Sequence, residues 1–156
     1  MKIYKKFVML FLAVGAFSGC EPEENEIDLR NQLSGSYGYQ KTEYHNTGIV
    51  TETGTMNIVN DATENLKLEM SADESFYGST LDAVDSLLIF YIPEQASITS
   101  SGGKINIKGI SNVKVGGREC HAGYSPQLNM LKLYYTVSFE EKPQLNYNVS
   151  VLAEKL

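Results

Sequence analysis

The 156-residue sequence predicts an all-β domain, an antiparallel meander of about eight strands closed into a barrel, with a two-sheet β-sandwich as the alternative. Three observations predict it. Apolar residues recur with a period of two, the mark of half-buried strands. Glycine pairs and a Lys-Pro step punctuate those runs as turns. Successive runs are joined by short connections, and a meander of this kind removes its exposed edges by closing on itself.

In chain order, strands are expected over residues 35–44, 49–60 and 65–70, the last two joined through Asp61-Ala62-Thr63. Residues 72–86 read either as a loop or, at Thr80-Leu81-Asp82-Ala83-Val84, as a helical turn. Leu87-Leu88-Ile89-Phe90-Tyr91-Ile92, stopped by Pro93, reads as a strand buried on both faces, because it has no polar face to give to water. If Gly102-Gly103 is a two-residue turn, Ile98 faces Ile107 and Ser100 faces Ile105. If Gly116-Gly117 is another, Val115 faces Arg118, Lys114 faces Glu119 and Val113 faces Cys120. Each register sets apolar against apolar, and the second also pairs Lys with Glu. Leu131, Leu133, Tyr135, Val137 and Phe139 alternate with polar residues, as do Leu145, Tyr147, Val149 and Val151. Lys142-Pro143 turns one run into the other. The total is eight to ten strands and at most one short helix.

The chain opens differently. Lys2, Lys5 and Lys6 precede an apolar run from Phe7 to Phe17, then Ser18-Gly19-Cys20. A basic start, an apolar stretch and small residues read as a secretory leader over 1–19. That run is shorter than the roughly 20 residues a spanning helix needs. Small residues followed by cysteine resemble the lipobox of bacterial lipoproteins. The resemblance implies cleavage before Cys20 and its modification with a thioether-linked diacylglycerol and an amide-linked acyl chain. Several acyl chains anchor stably where one holds only marginally.

Residues 21–32, EPEENEIDLRNQ, carry five acids in the first eight positions and two apolar side chains, so 20–32 is expected to be a lipidated cysteine with a solvated tether. Fully extended, twelve residues reach at most about 40 Å. An acidic run directly after the lipid cysteine also resembles the surface-export signal of Bacteroidetes lipoproteins. It implies an outer-membrane protein on the cell surface, with a periplasm-facing one as the alternative. The whole chain holds 13 basic and 19 acidic residues. Loss of three leader lysines leaves ten against nineteen, a net charge of −9, which excludes general binding to nucleic acid or to an anionic lipid surface. Membrane contact is expected through the lipid on Cys20. With Cys20 modified, Cys120 has no intramolecular disulfide partner.

Residues 33–156 form one domain. Its first strand begins Leu33-Ser34-Gly35-Ser36-Tyr37, which resembles the start of the lipocalin-like, or calycin-like, lipoproteins of Bacteroidetes. Gly35 and Tyr37 take the places of the lipocalin Gly-x-Trp, whose aromatic ring packs across the closed end of the barrel. The resemblance implies binding of a small apolar or amphipathic ligand, or a glycan fragment, in the barrel mouth. The alternative is a structural or protein-interaction module of an outer-membrane assembly, without a ligand cavity.

Chemistry for catalysis is sparse. His45 and His121 are the only histidines. Cys120 and His121 are neighbours, and on a strand neighbours face opposite ways, so they do not form a nucleophile and base. Turned toward Val113, Cys120 reads as a small buried residue. No convergent ligand set suggests zinc, and Asp82, Asp85, Glu140 and Glu141 read as solvated acids. A non-enzymatic protein without metal or cofactor is expected. Nine tyrosines follow the leader, each an apolar ring with a polar tip suited to contacts. Tyr37, Tyr39, Tyr134, Tyr135 and Tyr147 are the candidate ligand or partner contacts. Tyr135 and Tyr147 lie on the apolar stripes, whereas Tyr134 lies on the outer, polar one. Asp85-Ser86-Leu87 is similar to the Asp-Ser/Thr-aliphatic sequence that Bacteroidetes O-glycosylate, which makes Ser86 a candidate modification site.

The anchor assignment has a direct test. Cys20→Ser is expected to move the protein from the membrane fraction to the soluble fraction, and its retention with the membrane refutes lipidation.

Overall fold

The computed structural model describes residues 28–61, 65–71, 74–98 and 102–156. The leader, Cys20 and the acidic run through Ile27 lie outside them. Residues 28–32, expected to be tether, are structured. Asp28 caps a short helix, α1 (Leu29–Leu33), by accepting from the Arg30 amide at 3.0 Å, which satisfies one of the free N–H groups of a helix start. The Arg30 guanidinium beside Asp28 holds its carboxyl below the usual range.

Twelve strands follow among the described residues: β1 (Gly35–His45), β2 (Gly48–Asn60), β3 (Leu66–Met70), β4 (Ser75–Val84), β5 (Leu87–Tyr91), β6 (Gln95–Ile98), β7 (Lys104–Gly109), β8 (Val113–Val115), β9 (Arg118–Cys120), β10 (Ala122–Ser125), β11 (Met130–Ser138) and β12 (Tyr147–Lys155). All pairings are antiparallel. Ten strands form one sheet in the order β10-β5-β4-β3-β2-β1-β12-β11-β7-β6, and the extra β10–β11 pairing closes it. The barrel is thus an eight-stranded circuit, which removes the sandwich alternative.

Two of its staves are interrupted. The lower half of β11 pairs with β10, from Ser125↔Met130 to Ala122↔Leu133, and its upper half with β7, from Tyr135↔Gly109 to Ser138↔Asn106. β7 and β10 therefore continue one line, broken by residues 110–121. On their other side β5 pairs with β10 and β6 with β7, so β5 and β6 also share a line, broken at Ile92-Pro93-Glu94.

At the break, backbone bonds run Gly109 N–H to Ile92 O, Ile110 N–H to Tyr134 O and Tyr134 N–H to His121 O, at 2.9–3.0 Å. The Ile92 N–H donates to His121 Nδ1 at 2.9 Å, so an imidazole replaces a missing ladder acceptor. His121 also packs edge-on to Tyr91, with ring centroids 5.3 Å apart.

β8 and β9 leave the barrel as a hairpin. Gly116 and Gly117 have φ of 54° and 77°, as a tight turn of this hand needs, and the pairs Val113↔Cys120, Lys114↔Glu119 and Val115↔Arg118 are those expected from the sequence. The hairpin covers the outer face of β5, where Ile89, Val115 and Cys120 make a small second core. Burial raises the Cys120 thiol above its usual value. Leu88 and Phe90 face the barrel interior, so this strand is indeed buried on both sides.

Two sequence expectations are corrected. Residues 75–84, read as loop or helical turn, are β4. Its inward Gly78 leaves space filled by Phe90, whose ring carbon lies 2.7 Å from where a Cβ would stand, and a bulge between Ser79 and Asp82 shifts the register. The β6–β7 pairing is Ile98↔Lys104, not Ile98↔Ile107. The connection spans 99–103 rather than two glycines, and this odd shift turns Ile98 outward, 65% exposed.

The end near α1 is closed. Leu33 and Tyr37 are fully buried there, and the Tyr37 hydroxyl donates to Leu33 O at 2.6 Å. Tyr37 meets Tyr124 edge-on, and the Lys155 ammonium sits 6.0 Å from the Tyr37 ring centre while donating to Gln32 O at 2.8 Å. Burial pushes the Tyr37 hydroxyl well above the ordinary range. Tyr37 thus fills the place expected for the aromatic of Gly-x-Trp.

His121 sets a pH dependence. Burial lowers its pKa, and the Ile92 N–H facing Nδ1 demands a neutral ring. As pH falls through about 6.5, the unfolded chain takes up the proton first and stability drains away. Denaturant unfolding between pH 7.5 and 5 is expected to show this loss in the wild type. A flatter profile is expected for His121→Asn, and equal profiles would refute the linkage.

Candidate functional site

Alternation along β1 sets Tyr37, Tyr39, Lys41, Glu43 and His45 on the inner face, from the closed end to the open one. The first two complete an apolar core. Lys41 then places an ammonium inside the barrel, with its side chain only 2% exposed. Nζ donates to Glu74 Oε1 at 2.9 Å and ion-pairs with Glu52 Oε1 at 2.9 Å and Glu43 Oε1 at 3.1 Å. Glu52 lies opposite Lys41 in the β1–β2 register, and Glu74 comes from the residue before β4.

Burial by itself would depress the Lys41 ammonium. The Glu74 charge and the bonds from Glu52, Glu74 and Glu43 outweigh it and push the group above the ordinary lysine range. Tyr135, fully buried on β11, donates its hydroxyl to Glu74 Oε2 at 2.7 Å. Burial and then the Glu74 charge raise its pKa. Glu52 Oε1 is out of solvent, with the Lys41 ammonium 2.9 Å away as its counter-charge.

Above this floor lies a run of rings. His45 Nε2 contacts Glu43 Oε2 at 2.8 Å, and its ring lies 4.3 Å from that of Tyr147, which is 6.3 Å from Phe139. Burial, then Glu43 and Glu74, raise the Tyr147 hydroxyl. Phe139 also borders a groove of about 760 Å³ at the open end, walled by Ser97, Ile98, Ile105, Asn106 and Glu140 among others. A second pocket, between the β6–β7 end and the β11–β12 connection, shares Phe139, Glu140 and Lys104 with it.

The arrangement offers aromatic faces, carboxylate acceptors and an apolar wall together. This suits non-covalent capture of an amphipathic or hydroxyl-rich molecule. Among the described residues, no group of three His, Cys, Asp or Glu side chains is placed to hold a metal.

The predicted tyrosines divide. Tyr37, Tyr39 and Tyr135 are core residues and face no solvent, while Tyr147 reaches the open end. Tyr134 is half-buried on the outer wall, where its backbone bridges the strand break. Ser86 is exposed, with Asp85, in the β4–β5 turn at positive φ. His45, one residue beyond the strand expected over 35–44, ends β1. Lys41, Glu43, Glu52 and Glu74 were not singled out by sequence. The available signal was their spacing in Tyr37-x-Tyr39-x-Lys41-x-Glu43, which continues a buried stripe with charge.

Lys41→Met leaves the carboxylates without their cation and is expected to cost ~3 kcal/mol of stability, read by urea unfolding. Tyr135→Phe removes one donor and is expected to cost ~1 kcal/mol. A Lys41→Met protein as stable as wild type would show that the ion cluster holds nothing in place.

No protein-family model matches the chain, and no curated protein matches it. Among solved structures it is similar to a protein of unknown function from the DUF3598 family of Nostoc punctiforme. The identity is 14% and the TM-score 0.36, over 81% of this chain and 49% of that one. The chain thus spans about half the length of that protein.

Proposed function

We propose that the chain is a lipid-anchored, non-catalytic binding module of the bacterial outer membrane, taking a small amphipathic ligand or glycan fragment at the open rim of its barrel. The observation that carries this reading is the groove lined by Phe139, whose ring is the last of the His45–Tyr147–Phe139 run. Below Lys41 the interior is occupied by Tyr37, Tyr39, Met56, Phe76, Phe90 and Tyr135. That favours the rim over the depth of the barrel. A tether leaving from the α1 end would point the rim away from the membrane, which suits capture from the aqueous side and a place on the cell surface.

A specific observation favours a second reading, docking of an envelope protein. Ile98, Leu145, Tyr44, Ile49 and Val50 are large exposed apolar residues spread over the strand ends and connections of the open end. They form an apolar border of the kind found at protein interfaces.

The two readings part in one experiment. The intact protein, incubated with a membrane and culture extract and weighed under native conditions, is expected to retain a small molecule. Phe139→Ser should lower that retention at least tenfold at a temperature where circular dichroism shows the variant still folded. Retention of nothing by the wild type, or unchanged retention by Phe139→Ser, overturns the rim-ligand reading.

A further inference from the structure

The barrel wall is laced unevenly. β4 is paired to β3 along its upper half, from Ser75 to Gly78, yet on its other side its backbone ladder to β5 begins only at Ser79. Above that level β6 takes the neighbouring place, and side chains join the two strands. The Gln95 carboxamide spans the seam, accepting from Tyr77 N–H at 2.7 Å and donating to Tyr77 O at 2.9 Å. Ser97 Oγ donates to Ser75 O at 3.2 Å. One residue line away, at the same break in the stave, the Ile92 N–H is held by the His121 imidazole. The β6–β7 hairpin is thus tied to β11 by a backbone ladder, to Ile92 by the Gly109 N–H and to the core by Ile105 and Ile107, while across the β4–β6 seam side-chain bonds stand in for a ladder.

We propose that β6 and β7 form a flap, hinged on the β7–β11 ladder, that swings outward along the β4–β6 seam with Gln95 and His121 as its two catches. Ala96, Ser97, Ile98, Lys104, Ile105 and Asn106 line the groove beside Phe139, so the flap supplies most of the groove wall. Its movement opens and closes that groove. This consequence rests on the reading that the groove binds a ligand, while the flap itself rests on the lacing alone.

Opening breaks the Gln95 and His121 bonds together. β6–β7 pairing survives, because both strands move as one unit. Pro93, with no N–H and a fixed φ, lies next to the Ile92 catch and removes one donor from the seam. Local openings of this kind cost far less than global unfolding, and amide exchange reads them.

The test is cross-coupling between the two catches, measured residue by residue by hydrogen exchange on the intact protein. Gln95→Ala, which removes the bonds to Tyr77 and to Pro93 O but none to the Ile92 amide, is expected to speed exchange of that amide about tenfold, and Ser97→Ala, whose lost hydroxyl bonds nothing near Ile92, is the independent check. His121→Phe should do the same for the Tyr77 amide. Amides of the β1–β12 ladder should stay within about twofold of the wild type. Ser97→Ala, a milder change that removes the third tie alone, should raise both rates severalfold. Acceleration confined to the amide each substituted side chain had bonded, or exchange of Tyr77 and Ile92 only with global unfolding, overturns the flap. Nile red uptake followed on the same variants separates the two claims. Faster uptake in Gln95→Ala supports gating of the groove. No uptake by any variant removes this dye's groove from the reading above, while the amide coupling still decides whether the flap exists.

Discussion

The antiparallel ladder between β1 and β12 is the contact on which the rest depends. It joins the first strand to the last across eight residue pairs, from Tyr37↔Lys155 to Tyr44↔Asn148, and so turns a meander into a barrel. Its register sets both ends of the molecule. At the closed end it brings Lys155 over Tyr37 and within reach of the Gln32 carbonyl, which ties α1 down as the floor. Toward the open end it places Lys41 opposite Val151 and Glu43 opposite Val149, with their charges on the inner face. A slip of one residue would invert every one of these assignments, because side chains alternate faces along a strand.

An ammonium inside a barrel is costly. Removing one charge from water costs several kcal/mol even after relaxation, and only close counter-charges with good geometry offset it. Lys41 meets that condition through three carboxylates from three segments: Glu43 on its own strand, Glu52 on β2 and Glu74 before β4. Glu74 is in turn bonded by Tyr135 from β11, across the barrel. Such a cluster adds little net stability compared with a well-packed apolar layer, so its value lies in specification. It leaves few ways to arrange four segments around one cation, and it ends the apolar core at a defined level below the rings of His45, Tyr147 and Phe139.

Much of the fold was legible because its determinants are local. The β8–β9 register follows from two glycines whose positive φ values close a two-residue turn, and the Lys114–Glu119 pair forms as the sequence implies, at 3.3 Å. β11 and β12 follow from clean alternation, and the double burial of β5 from an uninterrupted apolar run. What escaped depends on partners distant in sequence. β4 lost its period where Gly78 yields its space to Phe90 and where a bulge shifts the faces. The β6–β7 register escaped because glycine adjacency does not reveal how many residues a connection uses. That β7 and β10 are one stave was invisible, since twelve residues separate them and only β11 shows their common line. The site shared this limit. Lys41 and Glu43 fall within the strand expected over 35–44, but alternation does not say which face is inner, and only the closure by β12 shows that they point inward.

The two halves of the barrel differ in how their bonds are made. On one side β1, β2, β11 and β12 run unbroken for 11, 13, 9 and 9 residues, held to one another by continuous backbone ladders. On the other, the stave of β5 and β6 is interrupted, its partner stave of β7 and β10 is interrupted at the same height, and side chains carry the ladder across. A side-chain bond gives up rotamer freedom that a ladder bond does not, so the mended level is the weaker one. The β8–β9 excursion compensates below that level by sheathing β5 with Ile89, Val115 and Cys120. Above it nothing among the described residues sheathes β6 in the same way. The asymmetry therefore concentrates local opening in the upper part of one wall, the part that borders the groove beside Phe139.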